Sequence, residues 1–80
     1  MQKAIVWKIR RANQSGVPDL VAVLPNGSHL WMEVKVPGKK PTPLQQVQLD
    51  RLRANGAHAI VPTSVKDVTD YIEANGLNNP

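Results

Sequence analysis

The stretch Pro18-Asp19-Leu20-Val21-Ala22-Val23-Leu24-Pro25-Asn26-Gly27-Ser28-His29-Leu30-Trp31-Met32-Glu33-Val34-Lys35-Val36 decides the fold. Its two runs, Pro18 to Leu24 and His29 to Val36, are apolar on both faces, as strands of a sheet covered on two sides are. Pro25-Asn26-Gly27 between them is turn chemistry, so the runs form a hairpin. The loop length sets the register. A two-residue Asn26-Gly27 turn pairs Pro25 with Ser28 and places Asp19 opposite Val34, with Glu33 on the other face. A three-residue loop has Pro25 and Asn26 in a type I turn and Gly27 in the left-handed bulge position. Leu24 then pairs with Ser28, and Asp19 with Glu33. Proline is favoured at the second position of that turn and glycine at its fourth, so the second register is the expectation.

Upstream, Ala4 to Arg10 alternates, with Ile5, Trp7 and Ile9 on one face and Lys8 and Arg10 on the other, which predicts a half-buried strand. Arg11 to Gly16 is a polar loop. Downstream, Pro37 to Pro43 is a stiff basic loop. Thr42 as N-cap, Pro43 at the first helical position and Gln45 three residues after the cap open a helix with a capping box. Leu44, Val47, Leu49 and Leu52 form its apolar stripe, and Gly56 stops it. His58 to Val61 is a short strand. Ser64 caps a last helix carrying Val65, Val68, Tyr71 and Ile72 at helical spacing. The prediction is an α/β (α+β) domain in the order β-β-β-α-β-α, a mixed four-stranded sheet with helices. It spans residues 1–76, with 77–80 a frayed tail.

The chain has 80 residues, ten Lys and Arg, six Asp and Glu and no cysteine, with a net charge of +4. Disulfides, thiolate metal sites and a cysteine nucleophile are excluded. A domain this small without such staples gains from self-association. No apolar run is long enough to span a membrane. Met-Gln-Lys-Ala-Ile-Val-Trp-Lys at the start does not read as a signal peptide, so a cytoplasmic location is expected. Seven bases (Lys3, Lys8, Arg10, Arg11, Lys35, Lys39, Lys40) stand in the first forty residues against two acids, Asp19 and Glu33, an asymmetry that suggests a polyanion-facing side, beside the alternative of a small basic domain that binds no nucleic acid.

In the favoured register Asp19, Glu33 and Lys35 share one face at the strand ends away from the turn. Directly opposed residues have Cβ atoms about 4.5–5.5 Å apart, so the two carboxylates can chelate one cation; without a cation they repel. Oxygen ligands without a His or Cys cluster select a hard cation, Mg²⁺ or Mn²⁺. The alternatives for these residues are a turn cap at Asp19 and a solvated Glu33–Lys35 pair. Trp7 and Trp31 are read as core or dimer-interface residues rather than base-stacking platforms, and His29 and His58 are given no role.

Pro18-Asp19, thirteen residues, then Glu33-Val34-Lys35 resembles the PD-(D/E)xK nuclease signature. The wider string resembles the VRR-NUC branch of that superfamily: Gly16-Val17-Pro18-Asp19-Leu20, Glu33-Val34-Lys35-Val36-Pro37-Gly38, Lys40-Pro41-Thr42-Pro43-Leu44-Gln45, then Leu52 and Gly56-Ala57. The resemblance implies a restriction-endonuclease-like minimal core and a metal-dependent DNA endonuclease. Asp19, Glu33 and the Val34 backbone carbonyl would ligate the Mg²⁺ or Mn²⁺. Lys35 would position or deprotonate the attacking water, and Gln45 would match the family's motif glutamine. That glutamine role stands beside the capping box, with equal weight. Arg10, Arg11, Lys39 and Lys40 are candidate clamps on the DNA backbone, or simply a solvated surface. The family's usual N-terminal helix, which carries an acid near the metals, has no counterpart here. That implies fewer ligands, one supplied by a second subunit, or weak activity.

Stand-alone phage or bacterial members are similar to junction-resolving enzymes, so the implied function is a homodimeric endonuclease on branched DNA such as Holliday junctions, in a bacterial or phage-infected cell. No nucleotide cofactor is implied. A nicking or restriction-type nuclease on ordinary duplex is the second reading, and a catalytically silent nucleic-acid-binding module the third.

Overall fold

The structure, a computed structural model, describes residues 4–10 and 15–78. Strand β1 (Ile5–Lys8), β2 (Leu20–Val23) and β3 (His29–Met32) are followed by helix α1 (Pro43–Ala54), β4 (His58–Ile60) and α2 (Val65–Ala74). The sheet order is β1-β2-β3-β4. The first two pairings are antiparallel and β3–β4 is parallel, so the sheet is mixed, as expected. All four strands are shorter than the apolar runs that contain them.

Leu20 faces Met32, Val21 Trp31, Ala22 Leu30 and Val23 His29. The ladder continues into the turn, where the Leu24 N–H donates to the Ser28 carbonyl at 2.8 Å and Gly27 N–H to the Leu24 carbonyl at 2.8 Å. Gly27 has φ +87°, the left-handed value that the three-residue loop requires. The expected register is the observed one.

Alternation then divides the sheet. Ala22, Leu24, Leu30 and Met32 lie on one face and form the core with Leu77, flanked by Leu20, Ile60, Val68, Tyr71 and Ile72. Helix α2 therefore covers that face. His58 Nδ1 lies 2.8 Å from the Tyr71 hydroxyl and ties β4 to α2, a contact that no sequence pattern announced. Val21 and Ala59 are buried on the opposite face, where α1 packs through Leu49. The capping box of α1 is complete. The Gln45 N–H donates to Thr42 Oγ1 at 3.2 Å, and the Thr42 N–H donates to Gln45 Oε1 at 2.9 Å.

Three expectations need correction. Leu77 is no frayed tail, being only 5% exposed. Its N–H donates to the Ile72 carbonyl at 3.0 Å while Gly76 N–H donates to Glu73. This pair of bonds is the Schellman closure, which folds the residue after the glycine back against the helix. Leu77→Ala should therefore cost about 2–4 kcal/mol, seen as a fall in the thermal midpoint; an unchanged midpoint would restore the tail. Second, Leu44 and Val47 are exposed, so the buried part of the α1 stripe is Leu49, with Leu52 half-buried. Third, the strand β1 is not half-buried. It is the sheet edge, and Ile5, Val6 and Trp7 are 53%, 56% and 62% exposed, so among the described residues neither of its faces is covered. Trp7 is not a core residue.

Candidate active site

Extending the β2–β3 register by one residue sets Asp19 opposite Glu33. Asp19 is held by its backbone, its carbonyl accepting the Ile9 N–H at 2.6 Å, and it follows the fully buried Pro18. Glu33 and Lys35 are kept extended beyond β3 by parallel pairing with the chain after β4. The Glu33 N–H donates to the Ile60 carbonyl at 3.0 Å, and the Lys35 N–H to that of Pro62 at 3.1 Å. Successive extended residues alternate in direction, so residues 33 and 35 point the same way.

The electrostatics are unusual for so small a core. Glu33 is 2% exposed, the buried charged residue among an otherwise apolar set. Its Oε2 lies 3.7 Å from Lys35 Nζ, and its Oε1 is buried with no hydrogen-bond partner among the described residues. Burial first, and then the charge of Asp19, push the Glu33 carboxyl above its ordinary value of 4.5; Lys35 pulls it partly back. A buried carboxylate oxygen without a donor is costly to desolvate. A cation between it and Asp19 would satisfy it, so the residues present fit a hard metal ion that Asp19 and Glu33 would hold. Among the described residues no group of three or more His, Asp or Glu side chains gathers anywhere.

A raised folded-state pKa means that the folded protein binds the proton more tightly than the unfolded chain. Without metal, stability therefore falls as pH rises from 4.5 through the folded value, and the deficit persists at neutral pH. Glu33→Gln removes that deficit. It is expected to raise the metal-free thermal midpoint at pH 7, and to lose the advantage below pH 4.5, where Glu33 is protonated in both states. An equal gain at both pH values would show that the Glu33 charge is not the cause.

The other candidates fall in different places. Gln45 serves the α1 cap with its Oε1, which leaves its amide nitrogen for any further role. Val34 continues the chain between Glu33 and Lys35 with its side chain exposed. Arg10, Lys39 and Lys40 are exposed, Arg10 next to Ile9 and the two lysines in the loop after Lys35. Arg11 lies outside the described residues. Two contacts were not foreseen. Gly16 rests directly on the first turn of α1, and Gln48 Nε2 donates to the Ser15 carbonyl at 3.2 Å. The one available signal was a glycine two residues before Pro18, where backbones can approach closely.

The fold is thus an α+β domain, a mixed four-stranded sheet with two helices, and Asp19, Glu33 and Lys35 stand at the strand ends away from the hairpin turn. The VRR-NUC domain model matches residues 3–66. A curated relative named "Putative nuclease p44", from Acyrthosiphon pisum secondary endosymbiont phage 1, is 37% identical over 70 residues, covering 88% of this chain and 74% of its own. A solved structure of a VRR-NUC domain is 38% identical with a TM-score of 0.77, over 88% of this chain and 76% of that one. The chain belongs to the VRR-NUC domain family, a family of nucleases.

Proposed function

We propose that this nuclease is a metal-dependent endonuclease that hydrolyses DNA phosphodiester bonds, with branched DNA such as a four-way junction as its substrate. The observation that carries this reading is the buried Glu33 Oε1 opposite Asp19, which has no hydrogen-bond partner among the described residues. Asp19, Glu33 and the Val34 carbonyl would hold Mg²⁺ or Mn²⁺. Such an ion, when bound, lowers the pKa of water and relieves charge on the leaving oxygen. Lys35, its side chain 20% exposed and anchored beside Glu33, orients the attacking water and offsets charge at the phosphorus. Gln45, whose amide nitrogen the cap leaves over, would serve the same reaction from the start of α1. Arg10, Arg11, Lys39 and Lys40 bind the DNA backbone by charge. Helix α2 carries Asp67, Asp70 and Glu73, which keep DNA off the far side of the molecule.

The preference for junctions rests on assembly. Ile5 and Trp7 form an exposed apolar patch on one face of β1, with Val6 exposed on the other, and among the described residues no strand pairs with the outer edge of β1. Patches of this kind mark interfaces, and a two-fold dimer buries the same patch twice. A dimer also sets two active sites in a fixed relation, as cleavage of two strands at a junction requires. Sedimentation equilibrium should give twice the 8.8 kDa of one chain, and Trp7→Lys should give the single chain. A monomeric wild-type protein would remove the argument for junctions.

The direct test of function is cleavage of linear, nicked, flapped and four-way DNA with Mg²⁺ or Mn²⁺. Four-way DNA is expected to be cut fastest, with no cutting in a chelator. Cutting in the chelator would refute metal dependence, and equal rates on all four would favour a duplex nuclease.

A further inference from the structure

We propose that Gln48, on the second turn of α1, is a positioning residue that sets the place of Asp19 by holding the loop before it. The proposal deepens the reading of Asp19 as a metal ligand and rests on it only for its metal-dependent arm.

Ser15, Gly16, Val17 and Pro18 lead directly into Asp19. The Gln48 amide nitrogen donates to the Ser15 carbonyl at 3.2 Å, and Arg51 Nη1 donates to the Gln48 oxygen at 3.3 Å. A guanidinium only donates and a carbonyl only accepts, so this pair of partners fixes which way the Gln48 amide points. One residue further on, a Cβ on Gly16 would lie 2.5 Å from the Leu44 carbonyl carbon and oxygen and 2.8 Å from the Gln45 nitrogen. The loop thus sits on bare helix backbone. Pro18 is fully buried, and the Asp19 carbonyl accepts the Ile9 N–H at 2.6 Å.

The segment is therefore pinned at Ser15, Gly16, Pro18 and Asp19. Only the first of these anchors is a side-chain hydrogen bond across sequence-distant elements. Asp19 itself is exposed. The β2–β3 register sets it opposite the buried Glu33, and the loop that leads into it on the other side is fixed to α1. Gln48 touches neither carboxylate in this arrangement and acts through Ser15. Ligand positions loosened in this way typically cost about 10–100-fold in metal affinity or activity.

The test compares wild type with Gln48→Met, which keeps the length and removes the donor, and with Gln48→Lys, which restores one. Two readouts are taken. Hydrogen exchange of the Ile9 amide in metal-free protein reports whether Asp19 is held, with the β3 amides as an internal measure of global stability. Calorimetric titration with Mn²⁺, in the absence of DNA, reports whether the ligand is in place. Gln48→Met is expected to speed Ile9 exchange with the β3 amides unchanged and to weaken Mn²⁺ binding about tenfold. It should lower kcat with KM for DNA unchanged. Gln48→Lys should restore all of these. Unchanged Ile9 exchange in Gln48→Met, or a loss that Gln48→Lys leaves unrepaired, would overturn the proposal. A wild-type protein that takes up no Mn²⁺ would instead defeat the reading of Asp19 as a ligand, with Ile9 exchange still deciding the role of Gln48.

Discussion

Asp19→Asn is expected to bring DNA cleavage down to the level of a chelator blank while the folded structure survives. The substitution is nearly isosteric, and the Asp19 side chain is exposed, so no core contact is lost. What is lost is half of the opposed carboxylate pair. An amide in its place offers one neutral oxygen to a hard cation, and Glu33 alone is a poor chelate. Relief of the like-charge repulsion also lets Glu33 ionise more readily, because Asp19 is the second cause of its raised pKa. The metal-free variant should thus be at least as stable as wild type. Circular dichroism melting and a cleavage assay on the same preparation check both halves. Full cleavage by a folded Asp19→Asn would remove Asp19 from the site.

Gly16→Ala has the second largest expected effect, and its origin is steric. Gly16 has φ +83°, where an L-residue costs about 1–2 kcal/mol. Its added methyl would also meet the Leu44 carbonyl group at 2.5 Å. Backbone on both sides cannot swing away as a side chain can, so the loop must lift from α1 and take Asp19 with it. Displacements near 1 Å at a reacting centre cost about 10²-fold in rate. Gly27→Ala is the matched control. Gly27 has φ +87°, but an added methyl there would meet nothing within 4 Å, so it bears the backbone cost alone. Activity and melting should therefore separate. Both variants lose stability, and only Gly16→Ala loses most of its cleavage rate. Equal rates in the two would show that the loop's seat on α1 does not matter.

Features coded by short-range chemistry were legible in the residues. The Pro25-Asn26-Gly27 turn fixed the hairpin register, and with it the facing of Asp19 and Glu33. Thr42 and Gln45 announced their capping box for the same reason, both partners lying within four residues. Features that depend on what packs where were not legible. Leu44 and Val47 continue the apolar spacing of Leu49 and Leu52. Yet α1 meets the sheet only near β4, and its first turn is occupied by the loop at Gly16, so these side chains are left outside. Leu77 was misplaced because it follows a helix-stopping glycine, where a chain can equally fray or fold back. An apolar residue directly after such a glycine is the partner a Schellman closure buries, and that signal was there to read. The seat of Gln48 on Ser15 spans 33 residues, and no local pattern encodes it.

The most direct test of the central claim, that Asp19 and Glu33 together hold the cation, is calorimetric titration of Mn²⁺ into metal-free wild-type protein, Asp19→Asn and Lys35→Ala. Lys35 is a cation itself and ligates nothing, so its removal leaves the carboxylates in place. Saturable binding by wild type and Lys35→Ala, with none by Asp19→Asn, is the predicted result. Binding that survives in Asp19→Asn, or that disappears with Lys35, would contradict it.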